Sequence, residues 1–213
     1  MRNVLSRCTK LEIFTISAGS PGIAGQIPYR DWNVDLNEFG DILRELGQNL
    51  VKFKLDTWDY RCVRDAMGKV RSLQSLKALT HLSIARNDFV GAEDDPSAIP
   101  LAEALPPLIE IMDLKEDKTD SQMGQEVYGY EKMHDEMYRL AVGGQFPSLR
   151  EMRLSRCGIP RQHRFQREVP GWDVEETAFV LGSELYALEF PYYTAMKLHM
   201  KRRDDGSEGV RDS

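Results

Sequence analysis

The side chains in this chain that could do chemistry near neutral pH are four histidines, three cysteines and a few charged clusters, and their spacing limits what they can do. Glu131-Lys132-Met133-His134 has the E-x-x-H spacing of a di-iron bundle, where a second copy and two more glutamates must converge from facing helices. No second copy occurs, so the motif reads as one polar face of a helix. His81 falls on a short strand where an imidazole can titrate near neutrality, and a hydrogen-bonded surface role is expected for it. His163 and His199 lie among arginines and lysines and suggest no constellation. Cys8, Cys62 and Cys157 are far apart with no C-x-x-C pairing, which fits buried free thiols in a reducing compartment rather than a zinc site. The stretch 18–25 is glycine-rich but lacks both the G-x-G-x-x-G register and the lysine and hydroxyl of a phosphate loop. No G-x-S-x-G elbow is present. The basic cluster 161–167 is offset by Glu168, Asp173, Glu175 and Glu176, and the run Lys197 to Arg203 reads as a solubilising tail. The expectation is therefore no catalytic residue, no cofactor, no metal and no nucleic-acid partner.

The chain that must position these groups has 213 residues, 41% hydrophobic and 29% charged, with a formal net charge of -6. A chain of this length buries roughly 70% of its unfolded surface on folding, so neither metal nor disulfide is needed for a core. Its acidic balance leaves no global footprint for nucleic acid. No apolar run approaches the ~20 residues that span a bilayer, which excludes a transmembrane helix. The first seven residues carry positive charge without the apolar core of a secretory signal, so an intracellular protein, cytoplasmic or nuclear, is expected, with no membrane partner.

Internal repeats are the strongest organisational signal. Residues 79–87, LTHLSIARN, fit L-x-x-L-x-L-x-x-N with Ile84 in place of a leucine. Four looser copies keep the apolar triplet: Leu11, Phe14, Ile16; Leu50, Phe53, Leu55; Ile109, Met112, Leu114; and Leu149, Met152, Leu154. The copies start 39, 29, 30 and 40 residues apart. The last two members of a triplet lie two apart on a strand and so point the same way, inward, while the first packs in from the preceding turn. The asparagine position is occupied by Gly19, Trp58, Asn87, Asp117 and Cys157, so most of the turns depart from a regular ladder. Leu36, Phe39, Leu43 and Leu46 predict an amphipathic helix ending near Gly47, and Tyr130, Met133, Met137 and Leu140 predict another before Gly143-Gly144. Residues 100–105 predict a short turn, and residues 18–33 and 116–129 predict loops. Val174, Ala178, Leu181, Leu185 and Leu188, with Asp173 as N-cap, predict a last helix that closes the open end of the stack.

Residues 8–16 (CTKLEIFTI), 146–154 (FPSLREMRL) and 154–159 (LSRCGI) resemble the irregular leucine-rich repeats of fungal F-box proteins. The resemblance spans about residues 5–160. It implies an α/β leucine-rich-repeat solenoid, with short parallel strands on a concave side and helices and turns on a convex side. The expected organisation is repeats over 1–160 in about five units, a capping segment with a helix over 161–200, and a disordered tail over 201–213. In that family an N-terminal F-box binds the Skp adaptor of a cullin ubiquitin ligase, and the repeats hold the substrate. Repeat-like sequence begins here within the first dozen residues, so no residue is assigned to a Skp-type adaptor.

Strand alternation then nominates a surface. The residues between the buried pairs face the concave side: Lys52, Lys54 and Asp56; His81, Ser83 and Ala85; Ile111, Asp113 and Lys115; Glu151, Arg153 and Ser155; with Ile13, Thr15 and Ser17 in the first copy. Mixed charge with apolar Ile13 and Ile111 suits a protein or peptide partner better than a phosphate backbone. The leading expectation is a non-enzymatic protein-interaction module like the substrate-recognition part of an F-box ubiquitin-ligase receptor. Two rivals are a small hydrolase or transferase without a readable motif, and a non-functional fragment of a longer solenoid that would expose Leu5, Leu11 and Phe14.

Overall fold

Each apolar triplet closes its own turn. The amide of the triplet's first residue donates to the carbonyl three residues back: Leu11 to Cys8 and Leu50 to Gly47 at 2.9 Å, Leu79 to Leu76 and Leu149 to Phe146 at 3.1 Å, and Ile109 to Pro106 at 3.3 Å. The turn buries the first apolar side chain and delivers the chain into a strand. These geometries come from a computed structural model of the chain, which describes residues 2–8, 10–17, 35–56, 68–91, 95–116, 128–160, 165, 167–180 and 193–203.

The five strands so launched are β1 (Ile13–Ser17), β2 (Lys52–Asp56), β3 (His81–Ala85), β4 (Ile111–Glu116) and β5 (Glu151–Pro160). They pair in parallel, and equivalent triplet residues face one another: Phe14, Phe53, Leu82, Met112 and Met152 form one row across the sheet. One backbone device fixes this register at every step. The Glu12 carbonyl accepts the amides of both Val51 and Lys52 (2.8 and 2.9 Å), and Val51 accepts those of Thr80 and His81 (2.9 and 3.0 Å). Thr80 accepts from Glu110 and Ile111 (2.8 and 3.0 Å), and Glu110 from Arg150 and Glu151 (2.9 and 3.1 Å). The five copies found in the sequence are therefore five equivalent strand entries.

Helix α1 (Arg2–Leu5) precedes β1, and between the strands lie α2 (Leu36–Leu46), α3 (Arg86–Phe89), α4 (Leu101–Ala104) and α5 (Tyr128–Val142). Helix α2 begins where the Asp35 carboxylate accepts the amides of Asn37 and Glu38 (2.8 and 3.4 Å), and it ends at Gly47 as the leucine spacing predicts. Its Gly40 lies directly against the Val70 backbone, so a side chain there has no room. Arg44 donates to the Val70 and Ser72 carbonyls (2.7 and 3.0 Å), tying the helix to the segment that leads into β3. Further along, the buried Arg86 guanidinium donates to the Gly91 carbonyl (2.7 Å) and to Glu136 of α5 (3.2 Å). The second Glu136 oxygen accepts the Leu101 amide at the start of α4 (3.3 Å). These helices share one core with the triplets: Phe39, Leu43, Leu101, Met133 and Met137 pack with Phe53, Leu82, Leu114 and Leu154. Removing this apolar area from water is the main term holding the layers together.

Two further strands complete a seven-stranded open sheet in the order β1-β2-β3-β4-β5-β7-β6, with β6 over Trp172–Val180 and β7 over Tyr193–Arg202, both antiparallel to their neighbours. Here the sequence expectation is corrected. The helix expected from Val174 and Ala178 is strand β6, because Trp172, Val174 and the β-branched Thr177 and Val180 satisfy a strand, and β7 pairs with it in unbroken register from Trp172 to Val180. Leu181, Leu185 and Leu188 lie outside the described residues. Lys201 and Arg202 belong to β7 rather than to a tail, while residues 204–213 lie outside the description. Cys8 is exposed, not buried, since it sits in the turn ahead of β1. Cys62, Gly19, Trp58, Asp117, His163 and the loop 18–33 are outside the described residues. Asn87 falls within α3, and Leu5 is buried, with Leu11 and Phe14 packed against the core. Among the described residues no helix is long and apolar enough to cross a membrane.

Candidate interaction surface

With the helices packed on one side of the sheet, the alternate strand residues point to the other. The register sets them in rows. Ile13, Lys52, His81, Ile111 and Glu151 make one row, and Lys54, Ser83, Asp113 and Arg153 make the next. A third contains Ser17 beside Asp56 on the first two strands, and Ala85, Lys115 and Ser155 on the central ones. Every residue nominated from the sequence thus lies on one face, because a period of two in five parallel strands leaves no other outcome.

The polar groups of this face are organised by cross-strand pairs. Lys115 of β4 reaches Asp56 of β2 at 2.8 Å, and Lys54 approaches the other Asp56 oxygen at 3.6 Å. The reach from β4 to β2 spans a whole strand, and Ala85, paired with Lys115 on the strand between, is small enough to lie beneath it. Ser83 donates to Asp113 at 3.2 Å. His81 is half-buried with Nδ1 2.7 Å from the Thr80 hydroxyl. Burial and the nearby Lys52 charge hold its imidazole below the ordinary histidine range, so at neutral pH it is uncharged.

The densest cluster was only half visible in the sequence. Glu151 of β5 accepts hydrogen bonds from Arg153 (2.6 and 2.8 Å) and lies 2.8 Å from His199 Nε2 of β7. Burial raises the Glu151 carboxyl, but the Arg153 and His199 hydrogen bonds and charges outweigh it and hold the group below the usual carboxylate range. His199, which the sequence left without a constellation, is thereby a member of the face. The signal that could have found it is the alternation Lys197, His199, Lys201 against Leu198 and Met200, a strand pattern inside what reads as a basic tail. The same register adds Lys197 and Lys201 of β7, and Asp173, Glu175 and Thr177 of β6, to the rows.

Chemically, a carboxylate holding an imidazole is the orienting half of a triad, yet no hydroxyl or thiol hydrogen bonds to His199 among the described residues. His134 stands on the opposite side of the sheet, its ring edge-on to Phe165 at 5.1 Å, in keeping with a half-buried helix face. What the arrangement offers is a broad polar surface with fixed charges. Comparison of the chain with protein-family models, with curated proteins and with solved structures returned no match.

Proposed function

We propose that the chain is a leucine-rich-repeat solenoid acting as a non-enzymatic, intracellular protein-interaction module, similar to the substrate-recognition part of an F-box ubiquitin-ligase receptor, and that its partner seats on the face of the sheet opposite the described helices. The observation that carries this reading is the in-register presentation of Lys52, Lys54, His81, Ser83, Asp113 and Arg153 on strands whose opposite side is fully occupied by the core. Repeated turns and repeated shared carbonyls favour a solenoid, since each unit meets its neighbours through the same contacts. Fixed rows of polar side chains on a rigid sheet suit recognition of an extended surface, because the groups are ordered before the partner arrives.

The test is reversal of charge at Lys52, Lys54 and Arg153 together, with proteins retained by the wild-type and variant chains compared by affinity purification. Specific partners lost from the variant, at a melting temperature within a few degrees of wild type, support the reading. Identical retained sets overturn it.

A further inference from the structure

The charges of the face opposite the described helices are sorted by height as well as by row. On β5 the Arg153 side chain is 52% exposed while its partner Glu151 is 12% exposed, and on β2 Lys54 is 46% exposed against 24% for Asp56. Asp56 is engaged by Lys115 and Lys54, Glu151 by Arg153 and His199, and Asp113 by Ser83. The acids of β2, β4 and β5 thus serve as internal counter-ions beneath the surface, and the groups that reach solvent from β2 to β7 are cations: Lys52, Lys54, Arg153, Lys197 and Lys201. Only at the far edge does β6 present acids, Asp173 and Glu175, and Asp173 is met there by Arg203 at 2.8 Å. A cationic track therefore crosses the sheet of a chain whose net charge is -6.

Resting on the interaction reading above, we infer that the occupant of this face is an acidic peptide segment lying extended across strands β2 to β7. Four strand spacings at about 4.8 Å make roughly 19 Å, the length of about six extended residues at ~3.3 Å each. Lys52 and Lys54 receive carboxylates at one end, and Arg153 and Lys201 receive them at the other. Between them Ile111 on β4 offers an apolar contact, so the fitting sequence has acidic residues about four to six apart with an apolar residue in between. Two of these cations, Lys54 and Arg153, are already held by Asp56 and Glu151, which lowers the ordering cost of binding.

The probe is a fluorescein-labelled peptide of about ten residues with glutamates at both ends of a central leucine, measured by anisotropy beside its lysine counterpart and a single-stranded oligonucleotide of equal charge. The glutamate peptide is expected to bind, to weaken as salt rises, and to lose at least about tenfold in affinity with Lys52→Gln and Lys54→Gln together. Circular dichroism establishes that this variant folds, and Arg153→Gln, at a separate position, is a second variant expected to weaken binding. Equal binding of the lysine peptide, tighter binding of the oligonucleotide, or unchanged affinity in both variants overturns the inference. A selection from a random peptide library separates it from the broader reading. Neutral or basic winners whose binding is lost with Ser83→Trp, which obstructs the face, overturn the acidic class alone. If no winner depends on the face, the interaction reading itself falls.

Discussion

Strands β1 to β5 and the ribbon of β6 and β7 share one sheet but are held in place differently. Each parallel strand is tied to the next by a carbonyl that takes two amides and is backed by helices whose apolar side chains interleave with the triplets. The ribbon is joined to the rest through its pairing with β5, through Leu198 and Met200, which are buried in the shared core, and through Trp172, which is buried and donates its indole N–H to the Ala141 carbonyl at the end of α5 (3.2 Å). Arg202 stacks over that indole at 5.3 Å and donates to the Pro147 carbonyl (2.7 Å). The repeated ties predict that the parallel region unfolds as one, and the antiparallel ribbon, with its large aromatic anchor at Trp172, is expected to open as a separate unit.

Removing the anchor is the sharpest way to break that contrast. Trp172→Ala is expected to cost about 3–5 kcal/mol in urea unfolding. Native-state amide exchange should then show β6 and β7 losing protection while β1 to β3 keep theirs; a uniform loss would mean that the ribbon is not separable. Leu82→Ala, in the middle of the parallel rows, is expected to cost about 2–5 kcal/mol, with protection falling across all five strands together. Exchange confined to β3 would refute the cooperative description. The smallest effect concerns the link between the two regions. Glu151→Gln is expected to cost about 1 kcal/mol at neutral pH, because a charged acceptor for Arg153 and His199 is lost. The folded-state carboxyl titrates below its ordinary value of 4.5, so the wild-type advantage is complete above that pH and disappears as the pH falls through the lowered value. A difference in stability that persists in strong acid would assign the effect to packing instead.

The same contrast explains what could be read from the residues. In the parallel region the signal is redundant: Leu82 and Ile84 alternate with His81, Ser83 and Ala85, and the pattern recurs in four other copies, so strand identity, facing and register follow together. Helix α2 was legible from Leu36, Phe39 and Leu43 because its start at Asp35 and end at Gly47 coincide with the apolar spacing. In the ribbon the signal is ambiguous. Val174 and Ala178 are four apart, a separation that fits one turn of helix and two steps of strand equally well, and only pairing with β7 selects the strand. The candidate surface divided the same way. Its rows on β2 to β5 were visible from alternation, whereas the meeting of His199 with Glu151 depends on an antiparallel pairing that no local pattern specifies.

The shared carbonyls also imply a rule for how such a chain can change in length. Glu12, Val51, Thr80 and Glu110 each offer the following unit the same acceptor, although the units between them differ by about ten residues. Because the acceptor is the same at each seam, exchange of a whole unit would preserve the seams on either side. Arg150, the next carbonyl in the series, takes the Arg202 amide from a strand of opposite direction (2.9 Å). Among the described residues the parallel series therefore ends at β5, whose next neighbour in the sheet runs the opposite way.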